Sequence, residues 1–165
     1  MLVYHGSYIE IQKPDVDYGR FNLDFGKGFY VTTLQAQAEK WAPRRARAAK
    51  KEKSIISVYE FDTGNLNILS FDGYTEEWLD FVLSNRAGNA APHQFDAIFG
   101  NMADDEVAAT VNYYIRLLSK GRIEKEDKKF FLRQLRFSKP NNQYCVATQK
   151  GIDALTFKES SELEK

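Results

Sequence analysis

Apolar positions along this chain fall into short alternating runs and helical stripes, broken by glycine, proline and Asn/Asp turns. Residues 2–4 read as a short strand that closes at His5-Gly6. Residues 8–28 carry little periodicity but contain Pro14, Gly19, Gly26 and Gly28, which predicts a long ordered loop. Ordered loops of that length in a compact domain are usually functional. A strand is expected over residues 29–31, then a helix through Gln35, Ala38 and Trp41, N-capped by Thr32 or Thr33 and kinked or broken at Pro43.

Residues 55–61 alternate as a strand, 62–65 (Asp-Thr-Gly-Asn) as a turn, and 66–71 as a second strand, which together predict a hairpin. Thr75 caps a helix bearing Trp78, Leu79, Phe81, Val82 and Leu83. A strand over 95–99 follows, then a helix started by Asp104 or Asp105 and stopped at Gly121. Another helix spans 125–137 with Phe130, Phe131 and Leu135 inward, and the last strands are 143–148 and 155–157. The organisation expected is one domain over residues 1–158 and a polar, frayed tail over 159–165. Strands and helices mix without the regular alternation of a doubly wound sheet, so the class is α+β. No Gly-x-Gly-x-x-Gly unit is present, which excludes a Rossmann-type nucleotide site.

Composition narrows the function classes. The chain is 43% hydrophobic, enough for a packed core, so disorder is excluded for most of its length. Its 23 basic and 23 acidic residues cancel, so no global field selects a nucleic acid or a membrane. No run approaches the ~20 apolar residues of a membrane span, and residues 1–5 do not resemble a signal peptide. The single cysteine, Cys145, cannot form an internal disulfide and reads as a small buried strand residue. A cytoplasmic location fits these features. The two histidines have no cysteine or carboxylate at ligand spacing, so no metal site is expected.

Three segments hold the candidate chemistry. His5-Gly6-Ser7 ends a strand with a glycine that lets backbone groups approach a planar amide, flanked by two polar side chains. Read alone, a strand end with a satisfied histidine explains it better. Phe25-Gly26-Lys27-Gly28-Phe29-Tyr30 sets two glycines around a lysine. Tyr30 can offer its ring to a cationic heteroaromatic and Lys27 its charge to a phosphate; a Gly-rich turn before core aromatics explains the same residues equally well. The third segment is Asn142-Gln143-Tyr144-Cys145-Val146.

Together these segments resemble the nicotinamide pocket of the poly(ADP-ribose) polymerase and diphtheria-toxin branch of ADP-ribosyltransferases, known by a His–Tyr–Glu triad. His5 matches the histidine, Tyr30 the tyrosine, and Gln143 lies on the glutamate position. Trp41 falls where a second aromatic sandwiches nicotinamide in the polymerases. Most of the chain also resembles a bacterial family of small domains grouped with these transferases. The shared features are the Tyr-His-Gly-Ser start, Asp-Phe-Gly-Lys-Gly-Phe-Tyr, Gln-Ala-Glu-Lys-Trp-Ala, the run from Asp80 to Arg86, and Ala103-Asp104-Asp105.

The resemblance implies a split β core of two packed, antiparallel-rich sheets with flanking helices. It implies NAD as substrate, held by His5, Gly6, Ser7, Phe25, Gly26, Lys27, Gly28, Tyr30 and Trp41, with His5, Tyr30 and Gln143 as the catalytic set. The implied activity is mono-ADP-ribosyl transfer to a macromolecular acceptor, protein or nucleic acid, by a bacterial toxin that a small antitoxin neutralises. The alternatives are an NAD glycohydrolase and a weak or silent NAD/ADP-ribose-binding module.

Gln143 is the departure from that pattern. It keeps the shape and one acceptor of glutamate but not the charge. A charged hydrogen bond contributes about 1.5–3 kcal/mol and a neutral one about 0.5–1.5. The direct loss is about 1 kcal/mol, or several-fold in rate. Conversion to glutamate is therefore expected to be accommodated if the side chain is at least partly wet, and to raise nicotinamide release. Asp104 and Asp105 are the other carboxylates weighed, and read better as helix caps. His93 has no visible partner. The basic residues Arg44, Arg45, Arg47, Lys50 and Lys51 can meet a polyanion, but a solvated helix face explains them better.

Overall fold

The computed structural model describes residues 1–88, 94–103, 105–122, 127–135 and 141–164, without the side chains of Asp105 and Glu106. It is α+β. Strands β1 (Leu2–Ser7), β3 (Ile55–Phe61) and β7 (Leu155–Glu162) form an antiparallel sheet in the order β1-β3-β7. Strands β2 (Phe29–Val31), β6 (Gln143–Val146), β5 (Ala97–Gly100) and β4 (Ile68–Ser70) form a second sheet in that order. There β2, β6 and β5 run antiparallel, and β4 joins β5 parallel. The helices are α1 (Gln35–Ala48), α2 (Glu76–Arg86), α3 (Asp105–Ser119), α4 (Lys128–Leu135) and the short α5 (Gln149–Asp153). No helix among the described residues is long and apolar enough to cross a membrane.

Strand alternation produces the layers. Val3, Tyr59 and Phe61 from the first sheet meet Phe29, Val31, Tyr144 and Val146 from the second, with Phe29 on Tyr59 and Phe61 on Tyr144 edge to face. The opposite face of the second sheet carries Ile98 and Cys145, packed on Trp78, Val82, Val107, Tyr114 and Phe131 of α2, α3 and α4. Helix α1 covers the outer face of the first sheet through Ala38 and Ala42 against Ile56. Thr75 caps α2 as expected, accepting from Trp78 N–H at 3.2 Å.

Several expectations need correction. The hairpin of 55–61 with 66–71 does not form. Both edges of β3 are taken, by β1 and β7, so β4 pairs with β5 instead. The tail is not frayed: β7 runs to Glu162 along β3. Its polarity is that of an edge strand, with Lys158–Glu60 and Lys53–Glu162 ion pairs facing solvent. Helix α1 passes through Pro43 unbroken, and Leu34 stands at its N-cap with no side-chain cap. Phe130 is 59% exposed while Phe131 and Leu135 face inward. The ends of the expected 125–137 helix lie outside the described residues, as do His93 and Asp104; Asp105 starts α3.

Candidate functional site

The two sheets touch along one edge and then part. Tyr4 of β1 and Thr32, just after β2, exchange both backbone hydrogen bonds, at 2.8 and 3.0 Å. Beyond that bridge the strands diverge and a cleft of about 690 Å³ opens, inside the range typical of small-ligand sites. Because an antiparallel strand turns successive residues to alternate partners, Gly6 faces the same edge as Tyr4. Past the bridge, its N–H and C=O point to the open edge rather than to β3. Gly6 is also where the sheet and α1 touch: a Cβ there would lie 2.4 Å from Ala38 O and 2.8 Å from Ala42 N. Ser7 and Gly28 complete this wall.

His5 sits beside them with its ring stacked on Phe29, centroids 4.5 Å apart. Its Nδ1 lies 2.6 Å from the Tyr30 carbonyl. A carbonyl only accepts, so Nδ1 carries the proton and Nε2 is a free acceptor in the neutral ring. Burial lowers the His5 pKa to about 4, the Tyr30 bond opposes this, and the nearby Arg45 charge adds to it. The neutral ring therefore offers Nε2 as an acceptor to the cleft rather than a donor.

Tyr30 is held by its hydroxyl, which donates to Gly26 O at 2.7 Å and accepts from Phe25 N–H at 3.1 Å. Burial, and then the neighbouring Cys145, push its pKa well above the ordinary value, so it stays a phenol. Cys145 beside it is buried, with its thiol pushed up to about 12, an inert core residue as expected. Helix α1 supplies the opposite wall. Ala38, Ala42 and Ala46 are buried, while the neighbouring i, i+4 stripe of Gln37, Trp41 and Arg45 faces the cleft. Trp41 is 38% exposed.

Gln143 starts β6 on the same face as Cys145 and is 7% exposed. Its Nε2 donates to Asp24 Oδ2 at 3.2 Å. That bond orients the amide, and Oε1 has no hydrogen-bond partner among the described residues. Asp24 is itself clamped: Oδ1 accepts from Arg86 Nε and Nη2 at 2.8 and 2.6 Å, and Oδ2 from Ala103 N–H at 2.9 Å. Both Asp24 and Arg86 line the cleft. Asn142 locks this segment to β2 and α1. Its Oδ1 accepts from Thr32 Oγ1 and Thr33 N–H, each at 3.0 Å, and its carbonyl from Gln37 Nε2 at 2.7 Å. Thr32 and Thr33 thus secure Asn142 rather than cap α1.

Seven of the expected site residues meet on this cleft: His5, Gly6, Ser7, Gly28, Tyr30, Trp41 and Gln143. Three do not. Phe25 is fully buried in the core against Phe71 and Phe81. Gly26, in the left-handed region at φ 83°, shapes the turn and receives the Tyr30 hydroxyl. Lys27 pairs with Asp17 at 2.9 Å and lies 5.3 Å from the Phe21 ring centre, away from the cleft. Sequence reasoning missed Asp24, Arg86 and Asn142, and weighed Arg45 only as one charge of a basic helix face. Arg45 alone carried a usable signal, its i+4 spacing from Trp41.

Fold and cleft together define a small α+β protein with a concave site at the parting of two sheets. The chain belongs to the family described as "Protein of unknown function (DUF3990)", which matches residues 1–157. No curated protein and no solved structure matches it.

Proposed function

We propose that this chain is an NAD-dependent mono-ADP-ribosyltransferase with an ADP-ribosyltransferase-like split β core. The observation that carries the reading is the convergence, on one cleft, of the three sequence segments that resemble a nicotinamide pocket. The Gly6 edge groups supply a donor and an acceptor, the pair that a carboxamide complements. Tyr30 and Trp41 offer faces to a cationic pyridinium ring, and Ser7 supports the carboxamide. His5 Nε2 accepts from the adenine-side ribose, and Gln143 Oε1 from a hydroxyl of the nicotinamide ribose.

In the reaction the bond from ribose C1′ to the pyridinium nitrogen breaks, and its electron pair leaves with nicotinamide. The ribose takes on oxocarbenium character until an acceptor nucleophile attacks C1′. Positive charge moves onto the sugar in that step, and a fixed negative field stabilises it. Asp24 shares its charge with Arg86 and acts through Gln143: by accepting from Nε2 it polarises the amide toward a more negative Oε1. The acceptor is a macromolecule, protein or nucleic acid. By its resemblance the chain acts as a bacterial toxin in the cytoplasm, with a small antitoxin as partner.

Calorimetry with NAD⁺ tests the pocket, and a lysate treated with the protein and isotopically labelled NAD⁺ tests the chemistry. Transfer predicts NAD⁺ binding and a labelled macromolecule. Free ADP-ribose with no labelled macromolecule would replace transfer with glycohydrolysis. Binding without turnover would make the chain a binding module, and no binding would overturn the assignment.

A further inference from the structure

Two arginines on the cleft wall make no ion pair among the described residues. Arg45, on the cleft-facing stripe of α1, and Arg20, from the loop before β2, both line it. Neither guanidinium makes an ion pair or hydrogen bond among the described residues. They are close enough to repel: burial first, and then the Arg20 charge, lower the Arg45 pKa, with Tyr8 opposing. Three carboxylates line the same cleft, and none of them pairs with Arg20 or Arg45. Asp24 is held by Arg86, Asp15 accepts from Asp17 N–H at 2.7 Å, and Glu10 accepts from Gln12 and Ser160. Arg44 and Arg47, by contrast, are exposed and lie off the cleft, so the basic segment of α1 divides into one inward and several outward charges.

Two like charges held near each other in a concavity, with no carboxylate paired to either, are arranged for a ligand's anion. Arginine presents a planar fork that matches phosphate oxygens, and two forks match a bridged pair of phosphates. We propose that Arg20 and Arg45 form a diphosphate seat, so that the cleft takes a diphosphate-bridged dinucleotide in preference to a nucleoside. The assignment of the nicotinamide end rests on the function proposed above, but the seat does not. Arg45 also lies near enough to His5 to act on its charge, so a bound diphosphate would sit next to the ribose-binding acceptor.

Binding of NAD⁺, nicotinamide riboside and inorganic pyrophosphate is measured by calorimetry on the full chain. The proteins are wild type, Arg20→Gln, Arg45→Gln, the double variant, and Arg47→Gln as an off-cleft control. The seat predicts that Arg45→Gln weakens NAD⁺ at least tenfold and the double variant more. Nicotinamide riboside should stay within twofold, and the salt dependence of NAD⁺ binding should flatten. Arg20 is exposed, so its variant tests the seat without touching the core. NAD⁺ affinity within twofold of wild type in the double variant would overturn the seat and leave the NAD reading standing. So would an equal loss of NAD⁺ and riboside, which marks a general distortion. A wild-type protein that binds pyrophosphate through these arginines but neither nicotinamide ligand would support the seat and remove the NAD reading.

Discussion

Replacing Gln143 by glutamate changes almost no volume, and from sequence it looks harmless. The structure reverses that expectation. The new carboxylate would stand about where Nε2 now donates to Asp24 Oδ2, 3.2 Å away, between two side chains each under a tenth exposed. Two unit charges at that distance repel by about 5 kcal/mol at an effective dielectric near 20; Arg86 on the other oxygen of Asp24 reduces this, and burial of the new charge adds to it. Keeping the new carboxyl protonated at pH 7, against an ordinary pKa of about 4.3, costs about 3.7 kcal/mol. Protonation is the cheaper outcome, so the introduced glutamate holds its proton and donates it to Asp24. A carboxyl whose folded pKa is raised contributes stability at low pH and loses it as pH rises above the unfolded value.

Gln143→Glu should therefore match wild type near pH 4 and fall behind by about 1.4 kcal/mol per pH unit, to a deficit of about 3.7 kcal/mol at pH 7. Urea unfolding from pH 4.5 to 8 measures this. The variant carrying both Asp24→Asn and Gln143→Glu has one carboxylate again, with the amide now on residue 24. It should lose the pH slope and recover part of the stability, a coupling that a double-mutant cycle reads directly. On the proposed function, the single variant is neutral at position 143 near pH 7 and gains no nicotinamide release, whereas the double variant presents the charge and gains. A pH-independent deficit below about 1 kcal/mol in Gln143→Glu would refute the reasoning, because the two groups would then not share a dry site.

Two further outcomes follow from the cleft walls. His5 is buried neutral with its pKa at about 4, so the protein should lose about 3 kcal/mol of stability as pH falls from 6.5 to 4, and His5→Gln should remove that slope in urea melts. Gly6→Val should unfold or strongly destabilise the chain rather than merely block a ligand, since even a Cβ meets Ala38 O at 2.4 Å; a near-native urea midpoint for Gly6→Ala would show that α1 can move off the sheet.

Local signals were legible where the chain decides its own structure. Alternation located β2 and β3, the Thr75 cap located α2, and the apolar run with Cys145 located β6. Partner choice was not legible. Nothing in residues 55–71 reveals that both edges of β3 will be occupied, and a polar edge strand such as β7 looks like a tail until its partner is known. The candidate site divides in the same way. His5, Gly6, Tyr30 and Gln143 stood out by resemblance, and the structure gathers them. Asp24 did not, because its significance depends on Arg86, 62 residues away, and on Gln143, 119 residues away. Phe25, Gly26 and Lys27 lie inside a distinctive motif, yet they shape and anchor the loop rather than line the cleft.

The Asp24–Gln143 pair recasts the missing acid. The negative charge expected at position 143 is present one side chain back, on the loop before β2, held there by Arg86 and the Ala103 N–H. That placement separates two jobs that one glutamate would do together. An oriented and polarised acceptor oxygen remains, which is what departure of nicotinamide needs on the proposed reading. Removal of a proton from an incoming hydroxyl needs a basic atom that reaches the nucleophile. An amide oxygen is too weak a base, and the Asp24 carboxylate already accepts four hydrogen bonds, from Arg86, Ala103 and Gln143. On the proposed function, such a site takes an acceptor that is already a good nucleophile, or one that brings its own base. On the same reading, water, a poor nucleophile, is left without activation, so transfer is favoured over hydrolysis.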